Sequence, residues 1–118
     1  MTRILFLCAR NRQRSPTAEQ IFSGREGVEC ASAGLAPDAE EPVTAELIGW
    51  ADLILVMERR HKRKLSEKFQ RYLKGKKVVS LDIADEYDYM EPRLVDLLTV
   101  KVAPYLPARV CGIRGVAA

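Results

Sequence analysis

No apolar run in the chain approaches the roughly 20 residues that a membrane span requires. The longest N-terminal apolar stretch, residues 4–9, is too short for the core of a secretion signal. Arg10, Arg12 and Arg14 follow it at once, so a cytoplasmic location is expected. Cysteine is scarce. Cys8, Cys30 and Cys111 are an odd number with no C-x-x-C pair, which indicates neither a disulfide framework nor a zinc site. Histidine occurs once, as His61, with no cysteine pair nearby, and it reads as neither ligand nor base. Internal repeats, low-complexity linkers and composition breaks are absent, apart from a loose tail expected at 107–118. Charge of one sign is only mildly in excess: the net +3 favours anionic ligands slightly and does not indicate nucleic acid.

What is present suits one domain of 118 residues, of which 47% are apolar, enough for a real core. The runs 3–8 (RILFLC) and 52–57 (DLILVM) are unbroken apolar segments, as in strands buried on both faces. Two further strands are predicted at 28–32, an edge, and at 77–81. Between them, Ser15 as N-cap and Pro16 at the first position start a helix that Gly24 stops, with Ile21 and Phe22 inward. A short helix is expected near 44–50, with Trp50 anchoring it. A basic amphipathic helix follows at 58–73 with Leu65, Phe69, Tyr72 and Leu73 inward, and a last helix at about 92–103. Strands alternating with helices imply a single three-layer α/β domain, a four-stranded parallel sheet with helices on both faces. The order 2-1-3-4 is favoured because it centres the two most apolar strands, and it puts the end of strand 1, at Cys8, beside the crevice where such sheets bind ligands.

The segment Cys8 to Glu19 (CARNRQRSPTAE) therefore spans a strand end, a six-residue loop and a helix start. Such a loop, here Ala9, Arg10, Asn11, Arg12 and Gln13 leading to Arg14, can turn successive amides inward onto an anion, and the helix N-terminus adds its positive end. Arg14 can offer a planar two-pronged donor to phosphate oxygens. Cations and a helix N-terminus also favour thiolate over thiol in a cysteine so placed. A thiolate beneath an anion cradle can displace an alcohol from phosphorus and form a phosphocysteine, with amides and arginine rather than a metal stabilising the equatorial oxygens. The plainer reading makes Cys8 a small buried hydrophobe at a strand end.

In residue pattern, Cys8, Asn11, Arg14, Ser15 and Pro16 are similar to the C-x5-R-S signature of the low-molecular-weight protein tyrosine phosphatase family. Ser32-Ala33-Gly34 and the run 52–57 extend the resemblance, which looks closest to a short bacterial subgroup of predicted tyrosine phosphatases. The resemblance implies Cys8 as nucleophile, Arg14 as phosphate ligand, Asn11 holding the loop in shape and the Ser15 hydroxyl steadying the thiolate. It implies no cofactor, and a phosphotyrosine protein or a small aryl phosphate as partner, with no membrane. Arg10 and Gln13 depart from the family's usual glycine and second cysteine, so no disulfide can form within the loop. The short 35–50 segment lacks a helix and loop found in longer members, which removes a substrate wall.

A phenolate leaving group needs a proton, and the loop after the fourth strand opens on the edge that carries Cys8. Within it Asp85 aligns best with the family's Asp-Pro-Tyr motif, although Glu86 replaces the proline. Asp82 is the alternative acid, and Tyr87 either lines the rim against an aromatic substrate or is an ordinary half-buried tyrosine. The basic run 59–64 reads as a solvated helix face rather than a nucleic-acid surface, because Leu65 and Phe69 fix the inner side. Two other functions share the loop. A thiol-dependent arsenate reductase would need relay cysteines that are missing between Cys30 and Cys111. A non-catalytic phosphate-binding module would keep the cradle without turnover.

Overall fold

Along β1, Thr2–Cys8, side chains alternate between two apolar layers, because successive residues of a strand face opposite sides. Ile4, Phe6 and Cys8 join one core cluster, while Leu5 and Leu7 join the other. The computed structural model describes residues 2–106, and the expected tail at 107–118, with Cys111, lies outside them. β2 (Val28–Gly34), β3 (Leu53–Val56) and β4 (Lys77–Ser80) complete a four-stranded sheet in the order β2-β1-β3-β4. Every pairing is parallel. The two most apolar strands are central, as their sequences predict.

Helices cover both faces. On one side α1 (Arg14–Phe22) and α4 (Pro92–Val102) supply Ala18, Phe22, Leu94, Leu98 and Val102 to the layer containing Phe6 and Leu55. On the other, α2 (Ala45–Trp50) and α3 (Arg59–Phe69) bring Ile48 and Leu65 against Leu5, Leu7, Ile54 and Val56. Trp50 packs at the margin of this second layer. Among the described residues no helix is long and apolar enough to cross a membrane.

Several expected boundaries move. α1 starts at Arg14 with Gln13 as its cap residue, so Ser15 lies inside the first turn and caps nothing. Its hydroxyl is drawn instead to the Cys8 sulfur and the Asn11 side chain. The helix stops at Ser23 without help from Gly24; the glycine with positive φ in that turn is Gly27, at 83°. α3 closes at Phe69 and tightens into a 3-10 turn, Gln70–Tyr72, which leaves Tyr72 45% exposed rather than inward. β2 runs two residues past the expected 32, to Gly34.

That extension places the functional edge of the sheet. Gly34 pairs with Cys8 in register, and beyond it Leu35 and Ala36 donate their amides to the carbonyls of Cys8 and Ala9 at 3.0 and 2.8 Å. Glu40 donates to the Arg10 carbonyl at 3.2 Å. Three consecutive loop carbonyls are thereby held on the side facing the 35–40 segment. The close approach requires glycine: a Cβ at Gly34 would lie 2.5 Å from Ala39 Cβ and 2.7 Å from the Ala9 carbonyl oxygen. Gly34→Ala is expected to cost about 1–3 kcal/mol through overpacking, to lower the melting temperature by several degrees and to weaken phosphate binding in calorimetry. An unchanged melting curve would mean that the loop and the 35–40 segment separate freely.

Candidate active site

After Cys8 the chain turns back on its own sulfur. Asn11, at φ 58°, occupies the left-handed region that asparagine tolerates better than most residues, and its amide donates to Cys8 Sγ at 3.2 Å. Ser15 Oγ lies 3.0 Å from the same sulfur and donates to Asn11 Oδ1 at 2.9 Å. Cys8, Asn11 and Ser15 are all buried, so these contacts are sheltered from competing water. Cys8, Ala9, Arg10, Arg12, Gln13 and Arg14 line a single cleft of about 480 Å³; Asn11 and Ser15 are not among its lining residues and touch the Cys8 sulfur instead. The first-turn amides of α1 have no partner within the helix and add their positive end to the same region.

Arg14 is 2% exposed, and burying a guanidinium requires compensation on most of its donors. Its Nη1 donates to Glu58 Oε2 at 2.6 Å and to the Ile83 carbonyl at 2.7 Å, while Nε lies 3.8 Å from Asp85 Oδ1. Glu58 also accepts from Arg60 Nε at 3.0 Å. Burial alone would raise the Glu58 carboxyl, but the hydrogen bonds from Arg14 and Arg60 outweigh it and hold the group below the usual carboxylate range. Glu58 is therefore held as a carboxylate, and it orients the arginine.

Asp85 lines the cleft from the loop after β4 and is 57% exposed. Asp82 stands apart: Ser80 Oγ donates to its carboxylate at 2.8 Å and Arg59 lies 3.4 Å away. The Ser80 hydrogen bond, with Arg59 nearby, holds Asp82 below its ordinary range. Tyr87 is not among the lining residues; it is half-buried against the α4 layer with the Arg93 guanidinium 5.3 Å from its ring centre. Cys30 pairs with Ile4, four residues back along β1 and so about 13 Å from Cys8. Burial, and after it the Glu19 carboxylate, push the Cys30 thiol up to about 11. Among the described residues no second thiol can relay a disulfide to Cys8.

Sequence reasoning missed Glu58, the Ile83 carbonyl, and the cleft residues Ala36, Arg60 and Lys64. Glu58 carried a readable signal, since a carboxylate directly after the apolar run 52–57 falls on the same sheet edge as Cys8. Ala36 had none, because its place follows from the register beyond Gly34.

His61 is neither solvated nor idle. Its Nδ1 accepts the Glu58 amide at 3.1 Å in a capping box, and the ring is 2% exposed with Nε2 lacking a partner. Burial, then the positive charge of Arg14, lower it to about 4. The unfolded chain thus binds more protons than the folded one between pH ~6.5 and ~4. Stability should fall as pH drops through that window, by at most about 3 kcal/mol from this group. Chemical denaturation at pH 7 and pH 4.5 checks this, and His61→Gln should flatten the slope; an equal slope in both proteins would contradict it.

No family model matches the chain. A protein-arginine-phosphatase of Bacillus subtilis is 35% identical over 96 residues, taking in 58% of this chain and 64% of that protein, less than two thirds of its length. The structure of YwlE arginine phosphatase from Geobacillus stearothermophilus superposes with a TM-score of 0.71 at 25% identity, covering 89% of this chain and 92% of that one. A low molecular weight protein tyrosine phosphatase from T. tengcongensis gives 0.70 at 25% identity, covering 90% and 100%. With Cys8, Asn11, Arg14 and Ser15 gathered in one cup at the end of β1, the chain is similar in fold and in these residues to the low molecular weight protein tyrosine phosphatases and arginine phosphatases it superposes on.

Proposed function

We propose that the protein hydrolyses phosphate monoesters through a phosphocysteine on Cys8, with phosphotyrosine or another aryl phosphate as substrate. The observation that carries this reading is the Cys8 sulfur in a cup, with the Asn11 amide and the Ser15 hydroxyl within 3.2 Å and the fixed Arg14 at its wall. The Asn11 amide donates to the sulfur, and Ser15 can turn its one hydroxyl hydrogen from Asn11 Oδ1 onto it as the sulfur gives up its own proton. That sulfur attacks phosphorus in line, the P–O bond to the phenol breaks, and Asp85 delivers its proton to the departing oxygen. Asp85, now a carboxylate, takes a proton from water, whose oxygen displaces Cys8 and releases inorganic phosphate. Arg14 and the loop amides bear the charge on the equatorial oxygens in both steps. Asp85 suits the role better than Asp82 because it borders the cleft, whereas Asp82 is engaged by Ser80 and Arg59. A nucleophilic thiol that must stay reduced suits the cytoplasm.

The names of the relatives raise phosphoarginine as a second substrate. In that group a delocalised, positively charged guanidinium sits beside the phosphoryl. Arg10, Arg12, Arg60 and Lys64 line the cleft beside Arg14, and Asp85 is the sole acid among its lining residues. Like charges at close range disfavour the phosphoguanidinium, whereas an aryl phosphate dianion meets no such repulsion. The charge of the wall therefore favours the phenolic ester.

Turnover of p-nitrophenyl phosphate, a phosphotyrosine peptide and a phosphoarginine peptide, measured side by side, tests both points. Wild type should release phosphate from the first two with the higher kcat/KM. Cys8→Ser should abolish release, and Asp85→Asn should lower kcat by ~10²–10⁴-fold. Arg14→Lys should lose the two-pronged contact and reduce kcat/KM by roughly 10²-fold or more. Equal rates for wild type and Cys8→Ser would refute the mechanism. Phosphate binding without release would identify a non-catalytic module, and preferred turnover of the phosphoarginine peptide would reverse the choice of substrate.

A further inference from the structure

The basic run 59–64 does not face solvent uniformly. His61 and Leu65 turn into the core, which leaves Arg60, Arg63, Lys64 and Glu67 at helix spacings of three, four and seven residues, a single face of α3. That face walls a groove of about 330 Å³ lined on its other side by Ala9, Leu35 and Ala36, with the buried His61 ring at its base. Ala9, Ala36, Arg60 and Lys64 belong both to this groove and to the cleft over Cys8, so the two spaces are continuous. Arg60 is held by Glu58, whereas Arg63 and Lys64 form no ion pair with a described residue. Glu67 lies seven residues beyond Arg60, about 10 Å along the helix axis, and bounds the far end.

We propose that this groove is a subsite for the polypeptide flanking the phosphorylated residue, and that it selects acidic residues there. The inference rests on the phosphatase reading of the adjoining cleft and narrows its substrate to phosphoproteins with acids near the phosphorylation site. An extended peptide rises about 3.3 Å per residue, so a groove of this length spans about three residues next to the phosphorylated one. Arg63 and Lys64 supply positive charge without an ion-pair partner among the described residues, and Ala9, Leu35 and Ala36 leave apolar surface for the aliphatic part of a glutamate side chain. A nucleic acid fits less well. Its phosphates need a long basic track, whereas this one is a single helix face closed by a carboxylate.

The test uses the Cys8→Ser protein, so that binding is read without turnover. Its affinity for a phosphotyrosine peptide with glutamates in the three positions on either side is compared, by fluorescence anisotropy, with that for the same peptide carrying glutamines there. The acidic peptide should bind about 5–10-fold more tightly at low salt, with the advantage shrinking as salt rises. Adding Arg63→Ala should cut the ratio of the two dissociation constants several-fold; a general loss of affinity cancels in that ratio. Equal affinities for the two peptides would overturn the proposal. So would a preference unchanged by Arg63→Ala, or an RNA oligonucleotide that binds as tightly as the acidic phosphopeptide. Wild-type turnover of p-nitrophenyl phosphate reports separately on the catalytic reading, so its failure is not confused with failure of the groove.

Discussion

Arg14 is buried to 2% exposure, and the site depends on how that charge is compensated. An unpaired guanidinium in such a place would cost several kcal/mol, so the fold supplies the Glu58 carboxylate at 2.6 Å and the Ile83 carbonyl at 2.7 Å. Both partners use Nη1, and Asp85 approaches only Nε, at 3.8 Å. The guanidinium is thus anchored along one side while it forms part of the cleft wall. Glu58 and Ile83 follow β3 and β4, and Cys8 closes β1. Parallel strands deliver these three positions to one edge of the sheet, which is why a small domain can hold a buried cation, a thiol and an acid together.

The loop between β1 and α1 is held from outside as much as from within. Amides of Leu35, Ala36 and Glu40 bind the carbonyls of Cys8, Ala9 and Arg10, and the left-handed Asn11 returns the chain to the sulfur. These constraints set the cup within the fold itself, so under the proposed function little ordering cost would fall on the binding step. Gly34 permits the contact by having no side chain. His61 adds a further link: by accepting the Glu58 amide it fixes the start of α3, and with it the carboxylate that anchors Arg14. The neutral ring is the form this requires, since a protonated Nδ1 could not accept.

Much of the fold was legible because unbroken apolar runs can only be central strands of a covered parallel sheet. Residues 3–8 and 52–57 announced β1 and β3, and hence the order of the sheet. The position of Cys8 at a strand end followed from the same pattern. Local boundaries were less legible where a side chain had a tertiary use. Ser15 looks like a helix cap, but its hydroxyl is claimed by the Cys8 sulfur and Asn11. Tyr72 fits the inward stripe of α3 until the helix tightens after Phe69. His61 sits in a run of cations and reads as solvated, yet its spacing of four from Leu65 turns it inward. The same spacing assigns Arg60, Arg63 and Lys64 to the groove, an outcome that charge counting alone does not give. Ala36 joined the cleft through strand register, which no local pattern encodes.

Covalent chemistry at Cys8 is the centre of this account, and rapid acid quenching tests it most directly. With p-nitrophenyl phosphate the leaving group needs little protonation, so under the proposed mechanism Asp85→Asn should slow the water-dependent second step more than the first. Quenching that variant within the first turnovers and digesting it should yield a phosphoryl adduct on the peptide containing Cys8, detected by mass spectrometry. Substrate turned over with no adduct on that peptide, or with the adduct on another residue, would contradict the account.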